Sequence, residues 1–316
     1  MAVITAGLRQ RLKRVRGLHS LWQWLCNARN YATWVWLTLW LPQKLRFHTA
    51  PPPGLVAPVV VSLTSHPPRF KFLALTLRCL LCQTIRPDHL VLWIAREDKA
   101  LLPASVLALQ KHGLEIGFVE DMKSYKKLIP ALQTYGFDIN HVIVDDDMFQ
   151  APTWLETLLR DDGGEEDGEA GTENVVHCHF GRIWLEEGAI SACSGQFPKI
   201  PTYRQWPPMS PGSQTPHGFL IGHGGVWFPP GSLGPESCDY ALAAQLCPLQ
   251  DDVWFTWHVL MRGWQIRRVS QPSRRFSWPG ADAGNMALSS QNNPEGGGND
   301  LAMRRIILHY GMPSKR

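Results

Sequence analysis

Apolar and polar positions divide most of the chain into alternating strand-like and helix-like segments. Val59-Val60-Val61-Ser62-Leu63 is a short, almost unbroken apolar run, the pattern of a strand buried on both faces. The polar loop Thr64-Ser65-His66-Pro67-Pro68-Arg69 ends it. Over 70–81 apolar residues recur at spacings of three and four, which predicts a helix. Pro87 stops that pattern, and 89–94 reads as a second strand. A helix over 103–111, with proline in its first turn, a third strand over 115–119, a helical stretch over 125–133 and a fourth strand over 142–144 follow. Strands separated by helices predict an α/β fold of right-handed βαβ units and a mainly parallel sheet. Ligands of such sheets bind at the carboxyl ends of the strands, where the loops 64–69 and 145–147 fall.

The remainder is less regular. Residues 161–173 are rich in Gly and Glu and read as a disordered surface loop. Strand character returns over 175–184, and 194–217, rich in Pro, Gly and Ser, suggests a long loop over the site. In Gly222-His223-Gly224-Gly225-Val226 the glycines either let backbone approach a ligand or make a tightly packed turn. Asp251-Asp252 opens a helical pattern that Gly263 stops. Residues 270–299 have a mobile-loop composition, and 300–310 reads as a closing helix. Pro51-Pro52-Pro53-Gly54 marks a linker. The expected organisation is an extension over 1–50, a linker over 51–57 and one catalytic domain over 58–316.

Charge changes the picture of the first segment. The 316 residues carry a formal charge of +4, yet no Asp or Glu precedes Asp88. Residues 1–87 hold twelve of the 31 Lys and Arg, leaving 19 against 27 acids in the rest. Five of the 14 tryptophans, Trp22, Trp24, Trp34, Trp36 and Trp40, fall in the same basic end. Its apolar run, 31–41, is too short for a membrane span, which needs about 20 residues. Basic, Trp-rich helices suit the cytoplasmic face of an anionic membrane; the alternative is a helical pair packed on the domain. Bulky Trp and Leu among the basic residues argue against nucleic acid as the partner. Seven scattered cysteines, with Cys79 and Cys82 on one face of a predicted helix and no second pair at zinc spacing, read as reduced, buried thiols of a cytoplasmic protein.

The candidate chemistry lies in two acidic segments. Asp145-Asp146-Asp147 follows the apolar run 141–144. Adjacent carboxylates delivered by a buried strand repel unless a cation joins them, and their hard oxygens suit Mg²⁺ or Mn²⁺. The plainer reading is a solvated turn that caps the next helix. Asp251 and Asp252 either stabilise a helix start or supply a general base. His177, His179 and His309 could ligate metal, but isolated histidines are more often structural or surface groups.

Taken in order, these segments resemble a glycosyltransferase of the GT-A fold, of the bacterial surface-polysaccharide type. The resemblance rests on Val60–Arg69, Leu80–Asp88, Leu92-Trp93-Ile94, Tyr125–Leu132, Val144–Asp147, Gly224-Gly225-Val226 and Asp251–Trp254, and covers about 58–265. It implies a nucleotide-sugar donor and a glycan or lipid-linked acceptor. Asp145 and Asp147 would bind the divalent cation on the donor diphosphate, with Asp145 or Asp146 reaching ribose or sugar. Thr64 and Arg69 would form a nucleotide loop, and Asp121 with Lys126 or Lys127 would line the donor pocket. Gly224 and Gly225 would line donor and acceptor, and Asp251 or Asp252 would deprotonate the acceptor hydroxyl in an inverting reaction. His223 departs from the smaller residue expected there. The competing expectations are a metal-dependent nucleotidyltransferase, against which no P-loop pattern is found, and a non-catalytic carbohydrate-binding scaffold.

Overall fold

The computed structural model describes residues 16–161, 174–184, 200–278 and 297–313, with side chains from residue 25 onward except that of residue 275. The expectations for most of 161–173, for 185–199 and for most of 270–299 therefore lie outside the described residues.

The chain enters through a 32-residue helix, α1 (Arg16–Phe47). Strand β1 (Val59–Thr64) leads to α2 (Phe70–Leu81), β2 (His89–Ala95), the short α3 (Ala104–Leu107), β3 (Leu114–Val119), α4 (Ile129–Tyr135) and β4 (Asn140–Ile143). After the aspartates come β5 (Met148–Gln150), α5 (Trp154–Leu159), β6 (Val175–Cys178), β7 (Gly181–Ile183), β8 (Gln214–Thr215), β9 (Gly218–Leu220) and β10 (Val226–Phe228). The chain then runs through α6 (Tyr240–Leu246), α7 (Asp251–Met261), β11 (Gln265–Arg268), β12 (Arg275–Ser277) and α8 (Asn299–Tyr310).

The main sheet has the order β3-β2-β1-β4-β10-β6-β11-β8. Its first four strands are parallel, with Ser62 opposite both Val91 and Ile143. β10 runs against both β4 and β6, while β6 and β11 are again parallel. Strands β2 and β3 build outward from one side of β1 and β4 lies on the other, so the winding reverses between β1 and β4. That is the switch point at which such sheets open a crevice.

The alternation of side chains explains why the parallel strands read as continuous apolar runs. Val59, Val61 and Leu63 face one apolar cluster with Leu90, Leu92 and α2, while Val60 faces the other side with Val91 and Trp93. The segment 125–133 is not one helix. A 3₁₀ turn (Lys123–Lys127) precedes α4, and Pro130 has no N–H to extend a helix backward.

In α1, Leu37, Leu41 and Leu45 recur every fourth residue and are buried against α2. Lys44 Nζ donates to the Cys82 carbonyl at 3.2 Å, and His48 Nε2 lies 2.8 Å from the Gln83 carbonyl. This end of the helix thus packs on the domain. Leu25, Tyr31, Trp36, Leu39 and Phe47 are exposed, and Trp36 stacks on Trp40. Among the described residues no helix is long and apolar enough to cross a membrane.

Candidate active site

The crevice at the carboxyl ends of β1 and β4 gathers both acidic segments. Because Ser62 pairs with Ile143, the loops after the two strands emerge side by side. Arg69 bridges them: Nη1 is 2.8 Å from Asp146 Oδ1 and Nη2 is 3.2 Å from Asp147 Oδ2. Ser65 Oγ donates to Asp146 Oδ2 at 2.5 Å. From below, Thr76 of α2 donates to the Asp146 carbonyl, and the Trp278 indole donates to Thr76 Oγ1. The Trp278 amide donates to the Asp147 carbonyl at 3.0 Å. The three aspartates are thus held by backbone and side chain together, not as a free acidic turn.

Lys127 joins the two halves of the site. Its Nζ is 3.1 Å from Asp145 Oδ1, 2.8 Å from Asp251 Oδ2 and 4.0 Å from Asp252 Oδ1, with its side chain only 5 % exposed. The Tyr125 hydroxyl donates to the Cys247 carbonyl at 2.5 Å, tying the turn that carries Lys127 to the segment leading into α7. Burial opposes the charge of Lys127, but three carboxylates hold its pKa well above the ordinary lysine value. Asp145 is lowered: burial works against ionisation, and Lys127, His223 and Arg69 outweigh it.

Asp251 and Asp252 open α7 but differ in setting. Asp251 is buried against Lys127. Asp252 keeps 29 % of its side chain exposed in the crevice and accepts the Gly222 amide at 3.1 Å on Oδ1. Burial, with Asp251 and Asp145 adding repulsion, pushes the Asp252 pKa up to about 7 against the pull of Lys127 and the Gly222 amide. A carboxyl with that pKa can accept and release a proton near neutral pH.

The other expected residues are placed as follows. Asp121 binds Lys123 and Lys126; burial opposes ionisation, yet these lysines bring its pKa down to about 2. The Thr64 hydroxyl donates to the Trp93 carbonyl. Gly224 and Gly225 pack on Trp154: the Gly224 carbonyl accepts the Trp154 indole at 2.8 Å, and a Cβ on Gly225, at φ +100°, would meet that ring at 2.5 Å. The glycine that abuts the carboxylates is Gly222, where a Cβ would stand 2.7 Å from Lys127 Nζ and 2.9 Å from Asp252 Oδ1. Ser65, Thr76, Gly222 and Trp278 complete the site without a signal that singles them out in the sequence.

The two metal candidates each face a cation, Asp145 toward Lys127 and Asp147 toward Arg69. His177 packs on Trp227, His179 Nε2 lies 3.0 Å from the Trp154 carbonyl, and His309 packs beside Tyr310. Among the described residues no three His, Cys, Asp or Glu side chains converge as metal ligands. Cys79 and Cys82 are buried free thiols, both with pKa raised by burial.

No protein-family model matches the chain. No curated protein is significantly similar to it. Among solved structures, the chain is similar to a 4-diphosphocytidyl-2C-methyl-D-erythritol synthase, with a TM-score of 0.33, 13 % identity and coverage of 59 % of this chain and 82 % of that one. It is also similar to the inositol-1-phosphate CTP transferase from T. maritima, with a TM-score of 0.36, 12 % identity and coverage of 79 % and 95 %. Likenesses of this extent do not bear on activity.

Proposed function

We propose that the chain is a transferase that takes a group from a nucleotide-activated donor. The observation that carries this reading is Lys127: one buried ammonium joins two acidic segments more than a hundred residues apart, in the crevice at the sheet's switch point. Sugar transfer to a hydroxyl is the reading that uses both segments. Arg69, Lys126 and Lys127 would face the donor's diphosphate. Asp252, open to the crevice, would take the proton of the acceptor hydroxyl as the new glycosidic bond forms and the sugar's bond to the nucleoside diphosphate breaks. Attack by that hydroxyl from the side opposite the leaving group would make the reaction inverting.

Asp145 and Asp147 offer hard oxygen donors that suit Mg²⁺ or Mn²⁺, with donor phosphates and water completing the shell. Such an ion would stabilise charge on the departing diphosphate as a Lewis acid. Lys127 and Arg69 hold the same carboxylates in its absence, so the ion would displace or share them.

Nucleotidyl transfer is the second reading, favoured by Arg69 and Lys127 beside the carboxylates, which would equally suit a departing pyrophosphate. Product analysis separates the two. Incubation with nucleoside-diphosphate sugars and a hydroxyl acceptor should release nucleoside diphosphate; release of pyrophosphate from a nucleoside triphosphate with a sugar phosphate would favour the second reading instead. Neither product from any donor would leave a non-catalytic binding role.

The basic helix α1 leaves apolar side chains exposed beside Arg29, Lys44 and Arg46. This supports attachment at the cytoplasmic face of an anionic membrane, where a lipid-linked acceptor would lie.

A further inference from the structure

A second hollow lies at the opposite end of the sheet from the crevice. β10 runs against β4 with Val226 opposite Ile143 and Phe228 opposite His141, so the chain leaves β10 at the amino end of β4 and places Gly231 there. Asn174 and Trp264 directly precede Val175 and Gln265, the paired first residues of β6 and β11, and reach the same end. Together with Glu236, His258, Arg262 and Tyr310 they line a hollow of about 730 Å³. Helix α7 connects the two places. Asp252 stands in the crevice, and His258 lies near the helix's far end, about 9 Å along the axis.

The walls of this hollow have a definite chemistry. His258 is only 3 % exposed, and its Nε2 has no hydrogen-bond partner among the described residues. Its ring packs edge-on against Trp254 and Tyr310, with centroids 4.3 and 5.5 Å away. Burial pushes its pKa down to about 4, outweighing the opposing pull of Glu236 and Asp239, so the imidazole is neutral. A buried, unpartnered nitrogen is costly. A hydroxyl that reached it would suit either tautomer, since it both donates and accepts. Arg262 donates from Nε to the Gly231 carbonyl at 3.0 Å and from Nη1 to Glu236 Oε1 at 3.1 Å. Guanidinium and carboxylate therefore offset each other, and neither a phosphate nor a cation finds an uncompensated charge. Trp264 and Tyr310, both half-buried, add aromatic surface.

Mixed donors and acceptors, no net charge and aromatic surface together suit a neutral polyhydroxylated ligand with an apolar face. We propose that this hollow binds a neutral mono- or oligosaccharide at a site separate from the crevice, whether or not the crevice transfers a group.

Saturation-transfer NMR on the full chain tests this with glucose, galactose, mannose, N-acetylglucosamine and maltotriose as probes. Saturation should reach at least one of them. Its affinity should fall by about tenfold or more, the scale of one lost contact of ~1.4 kcal/mol, in Trp264→Ala and in His258→Phe, and should stay unchanged in Asp252→Asn. If His258→Phe does not fold, Trp264→Ala decides, because that side chain is only half-buried. Transfer to none of the probes would overturn the assignment. So would binding that survives Trp264→Ala, is lost in Asp252→Asn, or is displaced by inorganic phosphate.

Discussion

Two acidic segments meet around Lys127, and the same residue type behaves differently in each. Asp145–Asp147 lies among cations: Asp146 receives Arg69 and Ser65, Asp147 receives Arg69, and Asp145 is held ionised by Lys127. In the second segment Asp251 takes the closer share of Lys127, at 2.8 Å against 4.0 Å for Asp252. Asp252 is left with an amide, two neighbouring negative charges and a pKa of about 7. Environment has thus divided five carboxylates into four held closely by cations and one poised to exchange a proton. The difference follows from distance to two side chains, Lys127 and Arg69, and substitutions there sharpen or break it.

The largest effect is expected at Asp252. Asp252→Asn should lower turnover by about 10²–10⁴-fold, the range for a lost general base, while donor binding stays intact by calorimetry. The sign with pH follows from the raised pKa: below about 7 the carboxyl is protonated and cannot accept a proton. Wild-type turnover should therefore rise as pH climbs through about 7, and the variant should lose that limb. A variant that keeps the same pH profile would remove Asp252 from the proton transfer.

Lys127→Met should be next in size. It leaves three carboxylates without their shared cation, and removing one partner of a buried ion pair costs about 3–5 kcal/mol. Urea unfolding at pH 7.5 measures this, and the loss should shrink in acid as the carboxylates protonate. A loss below about 1 kcal/mol would mean that solvent already neutralises the cluster.

Gly222→Ala places a methyl between Lys127 and Asp252. Overpacking of this kind costs about 1–3 kcal/mol, and it should lower turnover more than it lowers Tm. Gly224→Ala should instead act through packing against Trp154. Equal effects of both on turnover would deny Gly222 its place at the crevice.

Thr64→Val should be the mildest change. It removes one hydrogen bond, to the Trp93 carbonyl, worth about 1 kcal/mol. Donor affinity within a factor of about two of wild type would confirm that Thr64 braces β1 against β2; a much larger loss would put its hydroxyl on the donor.

The sequence made the local part of this arrangement legible. Apolar spacing marks Phe70–Leu81 and Asp251–Met261 as helices with the observed limits, and a buried run followed by acids marks the end of β4. The stripe Leu37, Leu41, Leu45 needed the partner surface of α2 to become visible as packing. What holds the aspartates was not legible. Thr76 and Trp278 act on them from 70 and 131 residues away, and no pattern along the chain encodes such contacts. β12, with Phe276 opposite Phe149 of β5, lies in a segment whose composition reads as a mobile loop, because three residues are too few to show a period. Likewise the run 222–225 shows that glycine is needed, but only the turn into β10 shows that Gly222 meets the carboxylates and Gly224 and Gly225 meet Trp154.

The most direct test of the central reading is thermal stabilisation of the purified chain by a panel of UDP-, GDP-, CMP- and dTDP-sugars, with and without Mn²⁺. The expected result is stabilisation by one nucleotide class, increased by the ion and lost in Asp147→Ala. No stabilisation by any nucleotide, or stabilisation that Asp147→Ala leaves unchanged, would contradict a nucleotide donor held at the aspartates.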